Sequence, residues 1–317
     1  IAALLPLVGH RMTHIDSLKL FIRVVELGSI TAGGRDVRMT PAVASNRIRA
    51  LEQALGIQLF NRTTRKLKPT EAAQLYYEHA RRIVDAVEEA DAQMAGYAGR
   101  PRGTIRVAAP LVAGKIIVGP IIPAFADAFP DIELRVRLTD RTIDVFDDSL
   151  DLVFFLGELH DSGLSWAHIA DCDRVICAAP SYIARHSAPK RPEDLAAHNC
   201  LLLRYPRSTE YYWVLTGPDG PQKMLVKGSF DADDSGLLLE WARAGAGIVN
   251  RPRFEVAADL AAGRLVELLP RHAPPPARFG LLYPHSRMRN PKLKVFVDFA
   301  VREAKKAHQR LLSGDAA

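Results

Sequence analysis

The residues best equipped for chemistry in this chain stand between positions 40 and 68. Thr40-Pro41 opens a helix with a hydroxyl N-cap and a proline at the first helical position, where no amide donor is lost. Along that helix Ala42, Ser45, Asn46 and Arg49 recur on one face, while Ala44, Ile48, Leu51 and Leu55 form an apolar stripe on another. The first face is small and polar. Small residues allow close approach to a duplex, and Ser, Asn and Arg can hydrogen-bond to base edges in its major groove. Charge collects between residues 35 and 68. Arg35, Arg38, Arg47, Arg49, Arg62, Arg65, Lys66 and Lys68 stand against Asp36 and Glu52 alone, a local +6 that equals the formal net charge of the whole chain. The basic character is therefore a patch rather than a general property. A run of surface Arg and Lys by itself would read as solvated charge; beside a groove-sized helix it points to nucleic acid.

The flanking elements must position that helix. Residues 17–27 read as a first helix, with Leu18, Phe21, Ile22 and Val25 as its apolar stripe and Gly28 as its stop. Ser29 caps a second helix over residues 30–37, and a short turn leads to the Thr40 helix. After Gly56, the segment 57–60 is apolar, 61–66 is a polar basic turn and 67–70 returns. This is a small hairpin, a wing beside a helix-turn-helix, whose Arg62, Arg65 and Lys66 would contact phosphates or an adjacent minor groove.

The string Ser29-Ile30-Thr31-Ala32, residues 40–45, Leu51-Glu52, Leu55-Gly56, residues 59–62 and residues 67–72 closely resembles the signature of LysR-type transcriptional regulators. Asp151-Leu152 with Gly157, residues 179–182, Trp213, residues 217–220, 245–248 and 259–265 look like landmarks of that family's effector-binding part, so the resemblance spans residues 15–312. It implies DNA contacts at Thr31, Arg38, Thr40, Pro41 and Ala42 beside those already named, with Ser45, Asn46 and Arg49 reading bases. It also implies a small-molecule effector, a homotetramer and a place in a bacterial cytoplasm. Two departures stand out. Gly33-Gly34 replaces alanines usual in the family, at a cost to the second helix of about 1 kcal/mol per glycine. Arg38 fills an inter-helix turn where glycine is common, so either the turn is reshaped or Arg38 adds a phosphate contact.

From Thr70 the helical pattern lengthens to residue 98, with Tyr76, Ala80, Ile83, Val87, Ala90, Met94 and Tyr97 spaced in fours and threes as a heptad seam. Such a helix spans roughly 40 Å, which suits a two-stranded coiled coil between subunits better than a helix lying on its own domain. Two-fold pairing would present two recognition helices to a two-fold-related site. Residues 100–103 then break the helix. Strands and helices alternate beyond it: strands over 104–108, 132–138 and 152–156, and helices over 111–128 and 143–149. A second such unit follows from 175 to 250, and a strand over 279–283 and a helix over 292–312 return to the first. This order implies open, mainly parallel α/β sheets in two lobes, which resemble periplasmic-type binding folds.

The expected organisation is an extension (1–13), an all-α winged helix-turn-helix (14–70), a linker and dimerisation helix (71–99) and an effector domain. Its lobe I covers 100–174, completed by 278–312, and lobe II covers 175–277. In such sheets ligands sit at the carboxyl ends of strands against helix N-termini. The cleft is therefore expected along Pro110, Leu111, Val112 and Ala113, Thr139-Asp140-Arg141, Phe155 to Gly157, Asp234-Ser235 and Asn250-Arg251. Relative to the family, Leu111-Val112 replaces a Ser/Thr-bearing loop, Phe154-Phe155 stands where a polar residue is common, and Asn250-Arg251 replaces an apolar pair. Aromatic walls and one arginine would suit a small, partly apolar organic anion, such as an aromatic carboxylate.

At 317 residues with 48% apolar and 25% charged content, the chain is ordinary globular material for two or three domains. Cys172, Cys177 and Cys200 are too few and wrongly spaced for a four-cysteine zinc site or a disulfide framework, and read as buried thiols, with redox sensing as the minor alternative. The ten histidines do not fall at metal-ligand spacing. No cofactor is expected, and the G-x-S-x-G, H-E-x-x-H and P-loop patterns of common enzymes are absent, as is a third glycine after Gly245-x-Gly247. Residues 1–8 are apolar but too short for a membrane span and lack the charged lead of a secretory signal, so neither a membrane role nor a role in the fold is expected of them. The competing reading, a two-lobed solute-binding protein without a DNA role, leaves the basic winged helix unexplained.

Overall fold

The computed structural model describes residues 5–63, 66–97, 101–141, 150–159, 163–204, 212–218 and 220–313. Arg65 and the helix expected over 143–149 lie outside the described residues, as do the side chains of Arg62 and Lys66. Chain contacts divide the protein into two units, Ile1–Met94 and Ala95–Ala317.

In the first unit, α1 (Leu5–Leu27) starts well before the expected residue 17, and residues 5–13 are helical in continuity with it. Ser29 caps α2 (Ile30–Asp36) by accepting the Ala32 N–H, and Thr40 caps α3 (Pro41–Leu55) by accepting the Val43 N–H. Gly56, in the left-handed conformation that spares glycine a Cβ clash, ends α3. The glycines of α2 are what bring the helices together. A Cβ on Gly33 would lie 2.7 Å from Val24 Cγ2 and 2.8 Å from the Val24 nitrogen, and one on Gly34 would lie 2.7 Å from Ala44 Cβ. Their propensity cost in α2 is therefore offset by close packing on α1 and α3. Arg38 keeps the left-handed turn (φ 58°) rather than reshaping it, a cost of about 1–2 kcal/mol for a residue with a Cβ.

The hairpin strands are β1 (Phe60–Thr63) and β2 (Lys66–Pro69), paired antiparallel from Phe60↔Pro69 to Thr63↔Lys66. They run deeper into the basic segment than expected, because Leu59 and Phe60 are held at the base: both donate backbone N–H groups to Glu52 Oε1 at 2.9 and 3.2 Å. Thr70 donates its hydroxyl to the Gln58 and Leu59 carbonyls and caps α4 (Glu71–Tyr97) by accepting the Ala73 N–H. A core of Leu18, Leu20, Phe21, Val24, Ala44, Ile48 and Leu51 joins the helices, with Ala73, Ala80 and Val84 contributed by α4.

The second unit opens with β3 (Gly103–Ala109). One continuous helix follows: α5 (Leu111–Ala113), a π-helical stretch (Gly114–Val118) and α6 (Gly119–Ala128). Next come β4 (Ile132–Leu138), β5 (Leu152–Gly157), β6 (Leu164–Cys172) and β7 (Arg174–Ala178). The second lobe continues with α7 (Pro180–His186), β8 (Leu202–Leu203), β9 (Tyr212–Gly217), β10 (Gly220–Leu225) and β11 (Asp231–Ala232). It ends with α8 (Ser235–Arg243), β12 (Val249–Pro252), α9 (Arg253–Ala261) and β13 (Val266–Leu268). The chain then returns through β14 (Ala277–Pro284) and α10 (Pro291–Ser313).

The first sheet has the order β4-β3-β5-β14-β6; β3 runs parallel to β4 and β5, and β14 runs antiparallel to β5 and β6. The second lobe holds β12-β7-β13, all antiparallel, and a short parallel pair β8/β11. The expectation of mainly parallel sheets thus holds for one side of lobe I and the short β8/β11 pair, because the chain crosses between lobes twice and the returning β14 inserts against the parallel strands. By length and composition the apolar stretch Leu111–Ala128 could cross a membrane. Here its Ile117, Val118, Ile121 and Phe125 are core residues, with the Phe125 ring edge-on to Phe296 of α10.

Candidate nucleic-acid interface and ligand cleft

On α3 the two stripes separate as their chemistry demands. Ala44, Ile48 and Leu51 are buried, while Ala42, Asn46 and Arg49 are exposed and Ser45 is half-buried. Leu55, expected in the apolar stripe, is exposed because the helix ends there, beyond the reach of α1 and α2. Arg49 donates to Asn46 Oδ1 at 3.4 Å, a long contact that leaves both groups accessible. Thr31, Arg38, Thr40 and Pro41 are exposed around the same helix start. An open groove of about 840 Å³, lined by Arg49, Glu52, Gln53, Ile57, Gln58 and Asn61, runs between α3 and β1. The array offers one helix for a groove and a hairpin beside it for the backbone.

The seam expected on α4 is in fact two stripes. Ala80 is buried and Tyr76 half-buried against the chain's own first unit, the Tyr76 ring 5.3 Å from that of Phe21. Leu75, Ile83 and Met94 are exposed at 61%, 46% and 62%. Glu26 of α1 ties the two helices by accepting Tyr77 Oη at 2.9 Å and Arg81 Nη1 at 2.6 Å.

The cleft residues of the second unit fall into three groups. Asp140 gathers the first: the Leu111 N–H donates to its Oδ1 and the Ser235 N–H to its Oδ2, each at 2.8 Å. Asp234 caps α8 through the Gly236 and Leu237 N–H groups. Beside it Arg141 bonds Asp233 at 3.0 and 3.3 Å, and Thr139 Oγ1 accepts the Arg141 N–H. Pro110 precedes α5, and Val112 is buried in its first turn.

The second group is aromatic. Phe155 packs edge-on to Trp166 and over Gly157, where a Cβ would meet its ring at 3.1 Å. Phe154 is not a cleft wall. Strand alternation turns it into the core, where it stacks on Phe279.

The third group disappoints the expectation of a free cation. Arg251 is 7% exposed and bonds Glu255 Oε2 through Nε at 2.9 Å, and Asn250 accepts from Arg174 at 3.1 Å. Burial pushes the Glu255 carboxyl above its usual value and Arg251 pulls it back. Arg251 thus neutralises a buried carboxylate and is not available to an incoming anion.

The family model "Bacterial regulatory helix-turn-helix protein, lysR family" matches residues 15–74, and "LysR substrate binding domain" matches residues 98–305. The chain belongs to the LysR family of transcriptional regulators. It is similar to the regulator DmlR of Escherichia coli, 30% identical over 285 residues that cover 90% of this chain and 92% of that one. CrgA of Neisseria meningitidis is 31% identical over 292 residues, 92% of this chain and 97% of that one. The full-length structure of the Vibrio cholerae virulence activator AphB matches with a TM-score of 0.59 at 28% identity, covering 90% of this chain and 98% of that one.

This LysR-type protein is a DNA-binding transcriptional regulator with an effector-binding domain, and these relatives are regulators rather than solute-binding proteins. Three residues of its cleft escaped sequence reasoning in their roles. Sequence reasoning puts Asp140 in the lining without its bridging bonds and gives no place to Asp233 or Trp166. The partners of all three come from distant segments, so only the alternation of β6 could have pointed to Trp166. Its cysteines are buried, and burial pushes each thiol up to about 12, which keeps them protonated and unreactive at neutral pH.

Proposed function

We propose that this regulator reads a two-fold-related operator as a dimer paired along the exposed Leu75, Ile83 and Met94 stripe of α4, assembles to a tetramer through its α/β halves, and works in the cytoplasm without a catalytic step. Ser45, Asn46 and Arg49 read base edges; Thr31, Arg38, Thr40, Pro41 and Ala42 lie against the backbone, and Arg62, Arg65 and Lys66 hold phosphates. The observation that carries this reading is the capped α3 with its accessible Asn46–Arg49 pair beside a basic hairpin.

The effector is a small organic carboxylate with an apolar body. Its charge faces the N-termini at Leu111 and Ser235, and its body lies by Leu111, Val112 and the Phe155 ring. Arg251 takes no part. Binding that favours one arrangement of the lobes shifts DNA affinity only by its differential affinity for the two arrangements.

The test is binding of the full chain to labelled DNA from its own upstream intergenic region, against scrambled DNA, across a salt series. Selective and steeply salt-dependent binding is expected. Equal affinity for both DNAs would remove the operator reading.

A further inference from the structure

We propose that Asp140 is a built-in carboxylate ligand: it occupies the anion seat formed by two helix N-termini from different lobes, and a ligand carboxylate enters the cleft only by displacing it. The proposal rests on the reading that the cleft between the lobes is the effector site.

The geometry is that of a bound anion. The first N–H groups of a helix have no partner within it, and the helix dipole adds positive potential there. The continuous helix starting at Leu111 and the nine-residue α8 starting at Ser235 each present such a group. Asp140 meets one with each oxygen, both at 2.8 Å. The next two donors of α8 are consumed by Asp234. The Arg141–Asp233 pair fastens the lobes alongside. One polar atom is left over. Ser235 is 1% exposed, and its buried Oγ has no hydrogen-bond partner among the described residues. A ligand carboxylate with one further polar atom would use that hydroxyl, which Asp140 leaves unused. Since Asp140 is covalently held and always present, it competes with free anions and lowers their apparent affinity by the fraction of time the seat is filled.

The experiment compares the full chain with Asp140→Ala, Asp140→Asn and Asp233→Ala, reading the thermal midpoint of the C-terminal half against acetate, with chloride at matched ionic strength. Acetate stands for the missing side chain. Asp140→Ala should gain a saturable rise of roughly 2–4 °C with acetate. The unsubstituted protein and Asp233→Ala, whose seats stay filled, should not respond, nor should Asp140→Asn, whose amide still sits between the helices. An equal response in all four proteins, or none in Asp140→Ala, overturns the proposal.

If Asp140→Ala is insoluble, recovery with acetate but not chloride counts as the expected result. Insolubility in both passes the decision to amide exchange in the unsubstituted protein. Leu111 and Ser235 amides that exchange as fast as unprotected ones would overturn it; protection lost at one of the two in Asp140→Asn, whose side chain keeps a single acceptor oxygen, would support it. Unselective DNA binding would sink the operator reading and leave the acetate response standing. The reverse pattern would sink only the role given to Asp140.

Discussion

The α3 face and the lobe cleft hold their polar groups in opposite states. On α3 the groups proposed to read bases, Asn46 and Arg49, are exposed and bonded to one another through a long 3.4 Å contact. In the cleft nearly every polar group is already paired inside the chain: Asp140 with two backbone amides, Arg141 with Asp233, Arg251 with Glu255. A preformed open face suits a partner that is always nearby and is sorted by base identity. A self-satisfied cleft suits a ligand that must be absent by default, because binding then exchanges one set of bonds for another and reports a change of state.

The comparison breaks most sharply if the two halves are not independent. Gly33→Val places a Cβ within 3 Å of the Val24 backbone and side chain, and overpacking of this kind costs about 1–3 kcal/mol or more. The expected outcome is loss of operator binding with only the N-terminal calorimetric transition lowered. A matching fall in the C-terminal transition would show the halves to be one cooperative body.

Next in size is the α4 stripe. Ile83→Asp puts a charge on an exposed apolar position and is expected to yield monomers in sedimentation and to weaken operator binding by about 100-fold, the loss that follows when two linked contacts become one. Dimers that persist at micromolar concentration would move the pairing surface elsewhere.

Arg49→Ala sharpens the open-face side of the comparison. It should cost about 1–3 kcal/mol at particular base pairs, while Arg65→Ala should weaken all sequences alike and flatten the salt slope by about one unit. Base substitutions that are all penalised equally by Arg49→Ala would show that Arg49 holds phosphate instead.

Local chemistry was legible in the sequence and long-range pairing was not. The caps at Ser29 and Thr40 and the stop at Gly28 follow from residue type alone, and each sits where its chemistry predicts. The α4 periodicity was visible, but a period cannot say whether a stripe is covered by the same chain or another, so Tyr76 and Ala80 were assigned to a partner although they face the chain's own core. Strand β6 went unseen because Leu164–Cys172 mixes polar and apolar residues on a sheet covered unevenly. The role of Asp140 depends on partners 29 and 95 residues away, and nothing local in Thr139-Asp140-Arg141 distinguishes a bridge from a surface turn.

The smallest effect expected is one of pH, and it belongs to the buried side of the comparison. His198, bonded through Nδ1 to Tyr182 Oη at 3.2 Å, and His308, with Nε2 3.5 Å from Cys172 Sγ, are both held below the ordinary histidine value of 6.5 by burial. His186 adds to the shift at His198, while Asp194 and, for His308, Asp173 oppose it. A lowered folded value means that the unfolded chain takes up protons the folded chain refuses, so this stability is complete above pH 6.5 and is lost as pH falls below it. Glu255, pushed up by burial, works with the opposite sign, binding its proton more readily when folded as pH falls toward its unfolded value. Between pH 7.5 and 5.5 the thermal midpoint of the C-terminal half should therefore fall, and His198→Gln with His308→Gln should flatten the fall. If the double variant retains the full slope, the acid sensitivity comes from other groups and the buried histidines are bystanders to it.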